Sequence, residues 1–231
     1  MVLLLWNGDA LVKSQEPTLG INYIQASQSS VRLVDSSNFS LEIDQNIKLG
    51  IGGVVWNCGR ALVEFISLHQ EFICNKKVLE LGCGSGVVGL FCGLYHPLSL
   101  MLTDLAEMLP LVLQNTQKAA LQCNELMNLT TRQQLIVQEL KWGDTKIPSN
   151  IDCDTILCSD CLYNPEAFED FKNTIKSLAS VSTTVLIAYK ERHSNREKKF
   201  FKQLEEIFII QVYSQDGTTP WNYKNDSVFI L

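Results

Sequence analysis

The segment 77–95 constrains the fold more than any other part of the chain. Lys77-Val78-Leu79-Glu80-Leu81 is an apolar run of strand length, and Gly82-Cys83-Gly84-Ser85-Gly86 lacks a Cβ at every second position. An apolar stretch of helical character then runs from about Val87 to Tyr95. Strand, glycine-rich turn and helix make one βα unit. A strand apolar along its whole length needs cover on both faces, so the unit requires neighbours of its own kind. These follow. Residues 98–103 read as a second strand with Asp104 at its end, and 105–121 as a helix with Pro110 near its first turn, where a missing amide hydrogen costs least. Residues 135–137, 155–158 and 183–189 read as further strands, 165–178 and 195–206 as helices, and 207–213 and 227–231 as two closing strands. The expectation is an α/β, Rossmann-like fold: a mostly parallel sheet with helices on both faces and one antiparallel strand.

The first 50 residues differ. They are rich in Ser, Gln and Asn, and the alternation in Phe39-Ser40-Leu41-Glu42-Ile43 suggests a hairpin. Residues 1–50 are therefore read as an N-terminal β appendage and 51–231 as the main domain. With 46% apolar residues in 231, one core is affordable, and neither disorder nor a fibre describes the chain. The net charge of −6 argues against wrapping nucleic acid. No run approaches the ~20 apolar residues of a membrane span. Residues 1–6 are apolar but lack a positive flank and stop at Asn7-Gly8-Asp9, unlike a secretory leader. Eight cysteines in apolar stretches then fit reduced thiols in the cytosol or nucleus. Nucleic-acid and membrane partners are not expected, and the protein is expected to be a monomer.

In such sheets ligands bind beyond the carboxyl ends of the strands, at the point where strand order reverses. The glycine loop lets backbone approach a ligand closely and leads into a helix N-terminus. Gly84, Gly86 and Gly89 with Asp104 formally satisfy a dinucleotide fingerprint. The frame Glu80-x-Gly82-x-Gly84-x-Gly86 instead puts an acid inside the strand and the first glycine directly after it, the pattern of S-adenosylmethionine sites. This frame is preferred. With either ligand, Asp104 stands where ribose hydroxyls would be bound; its plainer role is to cap the following helix.

Taken together, Val54-Val55-Trp56, the segment 78–86, Thr103-Asp104, Leu140-Lys141-Trp142-Gly143 and Asp160-Cys161-Leu162-Tyr163 resemble the seven-β-strand methyltransferases of family 16. These are mostly protein lysine methyltransferases, and the order of motifs is most similar to the branch acting on valosin-containing protein and Hsp70. The resemblance covers residues 38–231. It implies a seven-stranded sheet, S-adenosylmethionine as cofactor, and a lysine on an intracellular protein of chaperone, AAA ATPase or translation-factor type as acceptor. It also implies donor contacts from Trp56, Glu80, Gly82, Cys83, Gly84, Gly86, Asp104, Trp142 and Ser159, with Asp160 and Tyr163 facing the methyl group and the incoming nitrogen. Asn57-Cys58-Gly59 departs from the Asp-Ala-Ala often found after the family's tryptophan.

Amine methylation gives that last pair a chemical sense. A lysine ammonium cannot attack until it loses a proton, so the site needs alignment, a polar anchor and a way out for the proton. A carboxylate and a phenol three residues apart supply the anchor. On this reading Asp160 accepts from the ammonium and Tyr163 orients the lone pair. The plainer alternatives are an Asp160 that caps the helix near Pro165, and Trp56 and Trp142 as core aromatics. A histidine or small-molecule amine acceptor, or a non-catalytic donor-binding module, are the competing functions. Cys158 and Cys161 have no second pair at zinc spacing, and no metal site is expected. Lys190, Arg192, Arg196, Lys198 and Lys199 read as a solvated basic face, with an acidic partner as the alternative.

Overall fold

A computed structural model describes residues 2–4, 30–35, 38–144, 151–211, 213, 221–223 and 226–230. The elements are β1 (Val2–Leu4), β2 (Ser30–Val34), β3 (Ser40–Asp44), α1 (Asn57–Leu68), β4 (Lys77–Leu81), α2 (Val87–Cys92), β5 (Ser99–Asp104), α3 (Leu109–Gln122), α4 (Asn124–Thr131) and β6 (Leu135–Glu139). They continue with β7 (Thr155–Ser159), α5 (Phe168–Leu178), β8 (Thr184–Tyr189), α6 (Ser194–Glu205), β9 (Ile209–Gln211), β10 (Trp221–Tyr223) and β11 (Asp226–Ile230).

One sheet runs β10-β11-β8-β7-β4-β5-β6, and its inner pairings are parallel. Burial explains the strand sequences. All but the first residue of β4 and β8 is buried, as strands covered on both faces demand, whereas β6 at the edge is partly exposed throughout. β11 lies antiparallel to β8, pairing Phe229 with Tyr189. The sheet has nine strands rather than seven, because β1 and β9 also belong to it. Val2–Leu4 pairs with the first half of β8 and with β9, so these residues join the main sheet and not the hairpin. β9 is correspondingly not beside β11; β10 is.

The chain winds outward from β4 through β5 to β6, then returns to β7 and proceeds to β8 on the other side. The order therefore reverses between β4 and β7, and the crevice beyond their carboxyl ends is the expected place for a ligand. Core side chains such as Phe65, Phe91, Phe171, Leu79 and Leu81 are fully buried around this sheet.

β2 and β3 form a separate antiparallel pair. Val31, Leu33, Leu41 and Ile43 alternate onto its buried face, and the turn places Asn38 in the left-handed region, which asparagine tolerates. The hairpin packs on α3 through Asn115, which is fully buried. Its Oδ1 accepts from the Asp44 amide at 2.8 Å, and its Nδ2 donates to the carbonyls of Asp44 (3.0 Å) and Ser85 (2.8 Å). Lys118 adds ion pairs to Glu42 and Asp44. One side chain thus ties the hairpin to the glycine loop.

Candidate active site

The loop after β4 is the floor of the crevice. Gly82 and Gly84 both adopt left-handed backbone (φ +63° and +56°), and space is short at both. A Cβ on Gly84 would lie 2.7 Å from the Gly52 carbonyl oxygen, and one on Gly82 2.8 Å from the Trp142 ring. Only glycine meets both demands. The loop is fixed from β5: the Cys83 amide donates to the Thr103 carbonyl at 3.0 Å and the Gly84 amide to Asp104 Oδ2 at 2.7 Å. Asp104 Oδ1 accepts from the Leu105 amide at 2.7 Å. Each carboxylate oxygen keeps a further lone pair for a ligand. Burial pushes the Asp104 carboxyl up, and the two amides partly offset this.

Above this floor is a cavity of about 270 Å³. Its walls come from separate loops. Ile51, Gly52 and Trp56 precede α1; Leu140, Lys141 and Trp142 follow β6; Ser159 ends β7 and Asp160, Cys161 and Tyr163 follow it; and Asp170 comes from α5. The Trp56 indole donates to the Ile51 carbonyl at 2.8 Å, which joins the first wall to itself. Trp142 is steadied by Phe171, with ring centroids 4.7 Å apart. Tyr163, Ile51 and Leu105 stay well exposed and form an apolar lip.

Of the residues expected at the site, Trp56, Gly82, Cys83, Gly84, Asp104, Trp142, Ser159, Asp160 and Tyr163 line this cavity. Glu80 and Gly86 do not. Gly86 is the N-cap of α2 and has no side chain to offer the helix. Glu80, fully buried in β4, does that work from below: its Oε2 accepts from the Gly89 amide at 2.8 Å, one of the donors a helix leaves unsatisfied in its first turn. Burial pushes its carboxyl up to about 8. Asp104 does not cap a helix start at Leu105, because α3 begins only at Leu109. Near Pro165 the cap is Asn164, whose side chain accepts from the Glu166 amide.

Asp160 therefore has another task. It sits in the left-handed region (φ 56°), its amide donates to the Ala188 carbonyl at 2.8 Å, and both carboxylate oxygens take Arg192. Nη1 reaches Oδ1 at 2.7 Å and Nη2 reaches Oδ2 at 2.9 Å. Arg192 is missing from the residues expected at the site, since it lies in a run of basic residues that reads as solvated. The signal that finds it is topological. β7 and β8 are adjacent and parallel with Ser159 opposite Ala188, so residues just past their ends emerge side by side. The pair is largely buried, and the fork-to-carboxylate geometry is the strong form of such a contact.

The thiols lining the cavity are held protonated. Burial pushes the Cys83 thiol well up, and a hydrogen bond donated to Cys158 together with burial does the same for Cys161. The Tyr163 phenol is raised too, chiefly by burial, and stays protonated at neutral pH.

The sequence profile of the family described as Lysine methyltransferase (family 16) matches residues 35–207. Protein N-lysine methyltransferase METTL21A of Danio rerio is 29% identical over 190 residues, covering 78% of this chain and 80% of the relative. Protein-lysine N-methyltransferase EFM6 of Saccharomyces cerevisiae is 30% identical over 191 residues, covering 70% and 72%. Among solved structures, SMU.776, assigned as a methyltransferase and complexed with SAH, superposes with a TM-score of 0.56 at 11% identity, covering 89% of this chain and 56% of that one.

Proposed function

The chain belongs to the lysine methyltransferase family, and on that premise we propose that it methylates a lysine side chain of an intracellular protein in the cavity at the β4/β7 reversal. It is an S-adenosylmethionine-dependent enzyme. When bound, the donor supplies a methyl carbon on a positively charged sulfur, an electrophile that needs no further activation. The residues present suit it. The side-chain-free floor at Gly82 and Gly84 and the ring of Trp142 leave room for a flat, polar group, and Asp104 offers two carboxylate lone pairs where hydroxyls would be received. In this reading Trp56, Cys83 and Ser159 complete the donor side.

What remains for the protein is to admit and align the amine. The acceptor side chain enters over the apolar lip, its methylene stem against Ile51, Leu105 and the Tyr163 ring, as a long cationic side chain is best accommodated. The Tyr163 hydroxyl, kept protonated, orients the nitrogen, and Asp160 anchors it through the lone pairs Arg192 leaves. Alignment of this kind is worth several powers of ten. Substrates of chaperone, AAA ATPase or translation-factor type, action as a monomer, and a cytosolic or nuclear setting complete the proposal. The free state of all eight cysteines supports the reducing compartment.

The convergence of Asp104, Trp142, Asp160 and Tyr163, from the carboxyl ends of three strands, β5, β6 and β7, on one cavity carries this reading. The test separates the two halves of the site. Asp104→Ala should weaken S-adenosylmethionine binding by about tenfold or more in calorimetry. Asp160→Ala should keep donor affinity and lose methyl transfer. Transfer by Asp160→Ala at the unsubstituted rate would remove Asp160 from the acceptor side.

A further inference from the structure

The Asp160–Arg192 pair changes what the acceptor nitrogen meets. A lone, largely buried carboxylate beside the entering amine would stabilise the ammonium form, which has no lone pair to offer. Here the carboxylate is already matched by a guanidinium on both oxygens. Arg192 is itself fixed: its amide donates to Glu197 Oε1 at 2.9 Å, and its Nη1 also donates to the Lys190 carbonyl at 3.2 Å. Resting on the lysine reading above, we propose that Arg192 is a positioning residue that cancels the charge of Asp160, so that the acceptor end of the cavity disfavours ammonium and receives the amine in its neutral, nucleophilic form.

The other charged and titratable groups around the pair do not undo the balance. Cys161 and Tyr163, beyond β7, are held neutral. Cys58 of α1 and Glu197 of α6 face the guanidinium. Glu197 has its carboxyl pushed up by burial and shares no contact with the carboxylate of Asp160. Lys190 and Glu191 precede Arg192 in the same loop with opposite charges. Asp104 lines the donor side of the same cavity, and its carboxylate is common to every variant compared below. Removal of Arg192 alone therefore leaves a net negative charge at the acceptor end, and the cavity becomes a better site for a cation.

That sign gives the test a readout that a merely structural role would not move. n-Butylamine is a lysine side chain without its backbone and is almost wholly ammonium at pH 7. Its affinity for the enzyme loaded with S-adenosylhomocysteine is measured by NMR titration at pH 7. Arg192→Met and Arg192→Gln should bind it about tenfold or more tightly than the unsubstituted enzyme. Arg192→Lys, which keeps the charge, should bind like the unsubstituted enzyme, and adding Asp160→Asn to Arg192→Met should abolish the gain. A thermal shift with S-adenosylhomocysteine checks that each variant is folded. Equal or weaker binding by the folded neutral variants overturns the proposal. So does a gain that survives Asp160→Asn. If Arg192→Met does not fold, Arg192→Gln, which retains a hydrogen-bond donor toward Asp160, decides by the same criterion. If neither neutral variant folds, Arg192→Lys decides: tenfold tighter binding there shows that charge alone does not set the balance and overturns the proposal, and unchanged binding supports it. The amine titration needs no protein substrate. A positive result with no labelled protein in a lysate would leave this inference standing and the protein-lysine reading refuted.

Discussion

Replacing Glu80 by Gln should stabilise the protein, and by an amount that depends on pH. In the fold the carboxyl is fully buried and raised to about 8, while its ordinary value is 4.5. Below pH 4.5 both folded and unfolded chains hold the proton, and the group contributes nothing to pH dependence. Between 4.5 and about 8 the unfolded chain releases the proton and the folded chain keeps it, so stability falls as pH rises. At pH 7 the interval is about 2.5 units, which at ~1.4 kcal/mol per unit is about 3 kcal/mol. Glutamine retains a neutral oxygen for the Gly89 amide and does not titrate. The assay is urea denaturation of both proteins at pH 5, 6, 7 and 8. The advantage of Glu80→Gln should be below ~1 kcal/mol at pH 5 and reach about 3 kcal/mol at pH 7, a gain of roughly 6–12 °C in Tm for a domain of this size. A difference that does not change with pH, or a glutamine variant less stable at pH 7, would refute the assignment of Glu80 as a neutral helix cap.

Other expectations concern the loop and its supports. Asn115→Ala removes three hydrogen bonds from a fully buried site, to Asp44 twice and to Ser85 once. It should cost about 3 kcal/mol in chemical denaturation and, through Ser85, weaken S-adenosylmethionine binding in calorimetry. Unchanged donor affinity would show that the hairpin and the glycine loop are not coupled. Gly84→Ala forces a Cβ toward the Gly52 carbonyl at a left-handed residue and should lower stability by about 1–3 kcal/mol and abolish donor-induced thermal stabilisation. A variant with the original Tm and donor shift would refute that packing argument.

The parts of this molecule legible in the sequence are those encoded by local pattern. Runs such as Lys77–Leu81 and Thr184–Tyr189 are apolar because both faces are covered, and the glycines at 82 and 84 are where backbone must turn left-handed against a neighbour. Asp104, Asp160 and Tyr163 stand out because they end or follow strands. The helix Asn124–Thr131 was not legible, since its Asn and Thr residues are weak helix formers and only Leu126 and Leu129 mark its buried side. Short strands at the sheet edge, such as Val2–Leu4, depend on partners distant in the chain. Arg192 shows the same limit at the site. Its neighbours in sequence are charged and exposed, and only the pairing of β7 with β8 brings it to Asp160. The frame Glu80-x-Gly82-x-Gly84-x-Gly86 and the family resemblance imply a donor contact for Glu80. Strand alternation points it at α2 instead.

The central claim is methyl transfer from S-adenosylmethionine to a protein lysine with Asp160 at the acceptor side. Its most direct test is incubation of the purified protein with radiolabelled S-adenosylmethionine and a cell lysate, beside Asp160→Ala, followed by gel autoradiography and mass spectrometry of labelled bands. The account predicts a discrete band labelled at lysine and absent with the variant. No labelled protein despite donor binding, label on a residue other than lysine, or equal labelling by Asp160→Ala would contradict it.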